Sequence, residues 1–446
     1  MRCVHATTLG MLMVALSACG SEDGGKETGA GRFPGGTDPL PPLPQSVTLP
    51  IVFVHGFAGS AQQYQSQAMR FVANGYPQDH IRAFEHNGGP VGDDFVAGLS
   101  AFVDTALADF GTSQVYLVGH SRGTSVSSTY LGTPANAAKV AKYVSLDGSG
   151  CGAADTAGVA CLELNQAMFP GQKHVEVATS KESFVEQYAF LVGDEPSVSD
   201  IVPQADPVRI SGRAVNFPEN TGRDATTLEV YEVDAATGER LTGTPLATFQ
   251  LGSDGSWGPV TVAPDQFYEM ALSGSASPTT QHIYSQRYLR NSDFVRLLSG
   301  APDSPTRLNT NVGEHHAALI TLRMREWMTS DVLEISTASE SGDQAAVNVI
   351  TDTLGGNATF PPIAIHLHDA ADSPGDTSLG PLPYFSTQPF QTGVDVFMPA
   401  ADPPDGVITV TNLPRGETSR PQVLHFPNWA SSKHILMAMF SDFVED

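Results

Sequence analysis

The sequence is poor in positive charge. Its 446 residues hold 23 Lys and Arg against 48 Asp and Glu, a formal net charge of −25, and only six of the cations are lysines. No stretch is basic enough to track a phosphate backbone, so a nucleic-acid-binding role is excluded. The acidity implies a solvated surface and names no function. Apolar runs are short: the segment Leu9–Leu16 cannot cross a bilayer as a stable helix. Cysteines number 4, few enough to be taken one by one. Hydrophobic residues make up 41%, enough to fill real cores and to exclude wholesale disorder. With 43 Gly and 32 Pro, the chain must turn often, which argues against a helical bundle or coiled coil. At about 150 residues per domain, the length predicts two or three domains.

Residues 1–18 read as a signal peptide: Arg2 supplies the positive start and Leu9–Leu16 the apolar core. The segment ends in Leu16-Ser17-Ala18-Cys19, which resembles the lipobox of bacterial lipoproteins. The resemblance implies lipidation at Cys19 and, because Gly20 rather than Asp follows, an outer-membrane or cell-surface location. Residues 19–46 are almost free of apolar side chains and rich in Gly and Pro, a lipidated flexible tether. Cys3 leaves with the signal and Cys19 is acylated. The remaining even pair, Cys151 and Cys161, is expected to form a disulfide in an oxidising compartment, worth about 3 kcal/mol through loop entropy.

From residue 47 the pattern is α/β. Leu49–Val54 and Gln114–Val118 are continuous apolar runs with β-branched residues, the mark of strands buried on both faces. Lys142–Leu146 is a third strand, ending in Asp147-Gly148. Helices are expected over 61–74, from Asp93-Asp94 to Phe110, from Thr124, and over Lys181–Val192 with Thr179 or Ser180 as cap. Strands alternating with helices predict a parallel sheet with right-handed crossovers over 47–205.

Gly119-His120-Ser121-Arg122-Gly123 lies between an expected strand and an expected helix, the context a nucleophile elbow requires. The glycines permit a turn tight enough to lift the Ser121 hydroxyl off the sheet. Gly56, after the first strand, lets the Phe57 N–H face the same place; with the Arg122 N–H it would form an oxyanion hole. His55 is expected to fix that loop rather than carry protons. Chain order singles out His174, just before the Lys181 helix, as general base. Asp147, at the carboxyl end of its strand, would orient it; Asp155 and Asp194 are rivals without a preceding strand.

The stretches Val54–Ala61, Gly119–Gly123 and Leu146-Asp147-Gly148 resemble the α/β-hydrolase superfamily. Met69–Pro77, Lys173-His174-Val175, Asp200–Gln204 and Phe440–Phe443 resemble a narrower group, archaeal-type long-chain lipases and carboxylesterases with a C-terminal β-domain. The likeness runs through most of the chain after residue 50 and is densest before 205. It implies Ser121 as nucleophile, Asp147 as acid, His174 as base, and the Phe57 and Arg122 amides as oxyanion donors. It also implies an ester or lipid substrate. Two departures matter. Phe84–Val115 is too short for a helical lid, which predicts an open cleft. Arg122 stands where an apolar residue is usual, so it is expected to help shape specificity.

From about Pro207 short alternating segments (Val208–Ile210, Thr227–Val233, Ala247–Leu251, Phe267–Leu272) separated by turns predict a β-sandwich over 206–281. A second β-rich unit is expected over 282–446, with a helix-like stretch from His316 to Met328. His366-Leu367-His368-Asp369, with Asp372 and Asp376, is read as a solvated strand edge in preference to a metal site, and Glu314-His315-His316 likewise. The expected activity is that of a serine hydrolase acting on carboxylic esters through an acyl-enzyme on Ser121, with no metal or cofactor. The alternatives are a polyester depolymerase whose β-domains bind polymer, and an inactive scaffold serving as a surface binding protein.

Overall fold

A computed structural model of the protein describes residues 48–89, 95–274, 277–300, 303–351, 360–372 and 374–444. The signal-like segment, Cys19, all but the end of the Pro-rich stretch, and Asp93-Asp94 lie outside the described residues.

Because Ile51, Val52, Phe53 and Val54 are apolar on both sides of the chain, the strand they form, β1 (Ile51–Val54), can lie only inside a covered sheet, and all four are fully buried. It pairs in parallel with β2 (Ile81–Phe84) and β3 (Val115–His120); β4 (Val140–Leu146) and β5 (Ala160–Leu164) extend the sheet in the order β2-β1-β3-β4-β5. Alternate residues feed two cores. Ile51 and Phe53 meet α1 (Gln65–Ala73), while Val52 and Val54 meet α2 (Phe95–Phe110) and α3 (Arg122–Leu131). The short α4 (Pro134–Ala137), α5 (Gly152–Ala157) and α6 (Glu176–Thr179) lead to α7 (Lys181–Val192), which returns to the α1 face. Ser180 caps α7 through the Ser183 N–H. The helix expected over 61–74 begins as a 3-10 turn, Ala61–Tyr64, before α1. A disulfide joins Cys151, at the start of α5, to Cys161 on β5. This is an α/β-hydrolase sheet, followed by β-structure as the composition change at Pro207 predicts.

The β region opens with β6 (Val208–Asn216), β7 (Thr221–Gly222), β8 (Thr226–Val233), β9 (Ala247–Gln250), β10 (Ser256–Val262), β11 (Phe267–Gly274), β12 (Ser277–Ser285) and β13 (Ser292–Ser299). It continues through β14 (Ala318–Leu322), β15 (Val332–Ser339), β16 (Gln344–Asn348), β17 (Ala364–His368), β18 (Gln391–Asp395), β19 (Gly406–Leu413), β20 (Gln422–Pro427) and β21 (His434–Met439). An eight-stranded sheet runs β18-β17-β14-β21-β12-β11-β8-β9, flanked by sheets β10-β6-β13 and β16-β15-β19-β20.

Three expectations are corrected here. The boundary at 281/282 falls inside β12, which pairs with β11 on one side and with β21 on the other, so the two expected β units share one sheet. The helix-like stretch from His316 contains β14 instead, because a short apolar run reads alike as a buried strand or a helix. β17 is no solvated edge: it lies between β14 and β18 with all five residues buried, and the His366 ring is bonded to Gln391 Oε1 (2.9 Å) and stacked on Phe385. His316 is likewise buried. Among the described residues, no group of three His, Cys, Asp or Glu is arranged to hold a metal.

Candidate active site

Three loops at the carboxyl ends of β1, β3 and β4 meet, and each contains a non-glycine residue in the left-handed region: Ala58 (φ 53°), Ser121 (φ 53°) and Asp147 (φ 43°). Such strain persists only where surrounding structure over-determines it, and it gathers at functional sites. The glycines show why. A Cβ on Gly123 would stand 2.1 Å from the Val54 carbonyl oxygen, and one on Gly119 would stand 2.9 Å from the Gly123 oxygen. A Cβ on Gly56 would stand 2.8 Å from the Cβ of Ser121, so the β1 loop passes directly over the elbow. Ser121 occupies the N-cap of α3, yet its hydroxyl caps none of that helix's amides and stays free for other work.

Asp147 Oδ2 accepts a 2.5 Å hydrogen bond from His174 Nδ1. Sequence reasoning missed the third member of this group, Gln166, which follows β5. Its backbone N–H reaches Asp147 Oδ1 (3.1 Å) and its side-chain amide reaches Oδ2 (2.8 Å). Partial burial alone would raise the Asp147 carboxyl; the bonds from His174 and Gln166 outweigh it and hold the group below its ordinary 3.8. Of the rivals, Asp155 lies in α5 and Asp194 lies beyond α7; neither touches His174 among the described contacts.

His174 is also held from behind. His120, buried beside Ser121, bonds the His174 carbonyl through Nε2 (2.8 Å) and Gln63 through Nδ1 (2.6 Å). Burial, and then the charge His174 can carry, push His120 down to about 3, so it stays neutral, with Nε2–H as donor and Nδ1 as acceptor. Ser121 Oγ and His174 form no hydrogen bond among the described residues; in unliganded sites this contact is often open. The rings of His120 and His174 are 4.6 Å apart.

The Phe57 and Arg122 amides have no partner among the described hydrogen bonds, as donors awaiting an oxyanion would not. Bracing them is a stacked pair of histidines, His55 and His86. His55 Nδ1 donates to the Gly56 oxygen, its Nε2 accepts the His86 N–H, and the rings stack at 3.9 Å. Burial pushes His55 down to about 3. The Arg122 guanidinium turns back onto the same loops, donating to the carbonyls of Gly89 (2.6 Å) and Asn87 (2.5 Å) and lying over the rings of Phe57 and Phe95. The side chain expected to help shape specificity thus also clamps these loops. Between β2 and β3, α2 packs on the sheet, and no second helix stands there among the described residues.

The β region builds the far side. Asn220 donates to the carbonyls of Gly59 (2.8 Å) and His86 (3.1 Å), and Phe390 stacks over His174 at 6.0 Å. Glu326 accepts the amides that follow His174. Phe57, Val175, Phe217, Phe360 and Phe390 join one apolar cluster that spans both parts of the chain. Asn220, Glu326 and Phe390 are far from these loops in sequence, and no local signal marks them.

A family model described as the lipase C-terminal domain matches residues 206–302, and a second, whose description reads "-like, C-terminal domain", matches residues 306–444. Among solved structures, the mature form of a Bacillus licheniformis lipase is 23% identical, covering 40% of this chain and 71% of its own, with a TM-score of 0.21. A predicted CIB-like hydrolase of Thermoplasma acidophilum is 12% identical, covering 34% of this chain and 90% of its own (TM-score 0.24). A structure from a study of carboxylesterases of the ammonia-oxidising thaumarchaeon Nitrososphaera gargenis is 19% identical, covering 23% and 38% (TM-score 0.18). At these values the structural likenesses carry none of the chemistry, which stands on the geometry above.

Proposed function

We propose that this α/β-hydrolase is a carboxylic ester hydrolase of the lipase or esterase kind, with Ser121 as nucleophile. The observation that carries the reading is the Asp147–His174 hydrogen bond together with a strained elbow serine over which the Gly56-Phe57 loop passes, the Phe57 and Arg122 amides having no partner among the described hydrogen bonds. With Nδ1–H held by Asp147, His174 Nε2 is the free lone pair. It takes the Ser121 proton as Oγ attacks the ester carbonyl, and the Phe57 and Arg122 N–H groups receive the oxyanion. The imidazolium then protonates the leaving alcohol and leaves an acyl-serine. Water, deprotonated by the same nitrogen, releases the acid and restores the serine.

A cavity of about 1040 Å³, counting its open mouth, lies along the eight-stranded sheet, lined by Phe217, Leu272, Leu298, Ile320, Leu322 and Met437; Ser121, Asp147 and His174 are not among its lining residues. Phe217 belongs to the same apolar cluster as Phe57, which favours lipid esters as substrates. Attachment to a membrane through Cys19 is part of the proposal; loss of metabolic lipid labelling in Cys19→Ala would support it.

Protein lacking residues 1–18 should hydrolyse p-nitrophenyl esters, and Ser121→Ala should lose roughly 10³-fold or more in kcat/KM. A Ser121→Ala variant that kept the parent rate would refute the assignment. A chain-length series fixes the acyl preference, and polymer film set against emulsified triacylglycerol separates a depolymerase from a lipase. A parent protein that no fluorophosphonate labels would point to a binding scaffold.

A further inference from the structure

Glu326 belongs to the β region, yet its fully buried carboxylate lies under the loop that carries His174. One oxygen accepts the N–H of Val175 at 2.5 Å and the other the N–H of Glu176 at 3.1 Å, the two residues that follow His174. Three arginines share this cluster, and none pairs with the Glu326 carboxylate among the described residues. Arg325 and Arg415 hold Glu176, while Arg323 and Arg415 hold Asp331. Arg323 and Arg415 touch Glu326 only at its backbone carbonyl. Burial, foremost, raises the Glu326 carboxyl.

A buried carboxylate without a cation is an expensive way to fill space. What this one has instead is two successive backbone amides, a bidentate grip that no neutral side chain reproduces. A glutamine offers one oxygen and turns an N–H₂ donor toward the second amide. The grip falls where it matters for direction. The His174 ring is fixed at its tip by Asp147, and its carbonyl by His120 Nε2. Fixing the next two peptides sets the backbone from which the ring's Cα–Cβ bond projects.

We propose that Glu326 is a positioning residue for His174, so that the hydrolase sheet alone is incomplete and the β region completes it. The proposal rests on the triad reading above and adds to it a carboxylate contributed from about 150 residues further along the chain.

The test uses the chain from residue 19 onward and ester turnover with a fluorophosphonate probe. Glu326→Gln should lower kcat by ~10–100-fold, the scale of a slight misplacement, with KM within about twofold. The rate of Ser121 labelling should fall in parallel. Glu326→Asp, which keeps both oxygens, should recover part of the loss. Leu424→Ala, which only opens the β core, should lower the melting temperature and leave kcat in place. If Glu326→Gln does not fold, Glu326→Asp decides: a lower kcat at unchanged KM supports the proposal, and a parental kcat overturns it. A folded Glu326→Gln with kcat within about twofold of the parent overturns it, as does a fall that Leu424→Ala reproduces at an equal loss of melting temperature. A parent protein that takes no probe at Ser121 would remove the triad reading itself. A reactive parent with an indifferent Glu326→Gln removes only this step.

Discussion

The side chain of Gln166 donates to the same oxygen of Asp147 that receives His174 Nδ1, at 2.8 Å and 2.5 Å respectively. One carboxylate oxygen thus orients the imidazole while a neutral amide holds that oxygen still. Asp147→Asn should therefore cost about 10³–10⁴-fold in kcat/KM by favouring the wrong tautomer. Gln166→Ala removes one of two bonds from that residue and should cost roughly tenfold, for about 1.4 kcal/mol. The lowered Asp147 carboxyl contributes stability that is full above its ordinary 3.8 and is lost as pH falls through its folded value. Gln166→Ala should move that loss to higher pH, measurable by acid unfolding.

Arg122 tests the clamp. Its guanidinium forks across the carbonyls of Gly89 and Asn87, and Gly88 in turn accepts the Ala58 N–H at 2.8 Å. Arg122→Ala keeps the backbone amide but loosens the Phe57 loop, so kcat should fall ~10-fold, less than the 10²–10³ expected for losing a donor outright. Lysine cannot span two carbonyls as the fork does. Full activity in Arg122→Lys would show that the fork has no role.

Glu85 ties the hydrolase sheet to the β region. Its carboxylate accepts Arg296 Nε (2.7 Å), Arg213 Nη1 (2.6 Å) and the Ala61 N–H (3.0 Å). Burial alone would raise the group; Arg296 leads the partners that pull it down to about 2 from 4.5. Its contribution, about 3 kcal/mol, is whole above pH 4.5 and nearly gone by pH 2. Glu85→Ala should cost about 3–5 kcal/mol at neutral pH, because it leaves Arg296 buried without its partner. Urea unfolding across pH checks both: the gap between parent and variant should close as acid is added.

The bond between Cys151 and Cys161 closes α5 onto the edge strand β5. Opening it with reductant should lower stability by about 3 kcal/mol. Esterase activity under native conditions should be retained, since neither sulfur touches Asp147, His174 or Ser121 among the described contacts. A mass shift matching two added hydrogens, with a lower denaturation midpoint, is the expected result. Two thiols free before reduction would disprove the pairing.

What the chain determined by itself is local. Ile51–Val54 and Val115–Val118 are apolar on both faces and could only be central strands, and the glycines around Ser121 permit a turn that a Cβ would block. The edge strands β2 and β5, interleaved with exposed or half-exposed side chains, have no such signature and were not legible. Lipidation at Cys19 concerns residues outside those described. Tertiary structure decided the rest, because it depends on contacts between distant segments. The strand before it favours Asp147 over Asp155 and Asp194, but which carboxylate reaches His174 is decided only by the fold. The division at 281/282 fails because β12 pairs in parallel with β21, which arrives only after residue 433. Glu326, Asn220 and Phe390 reach the site from the β region by packing alone, and no periodicity or motif records a contact closed across so long a loop.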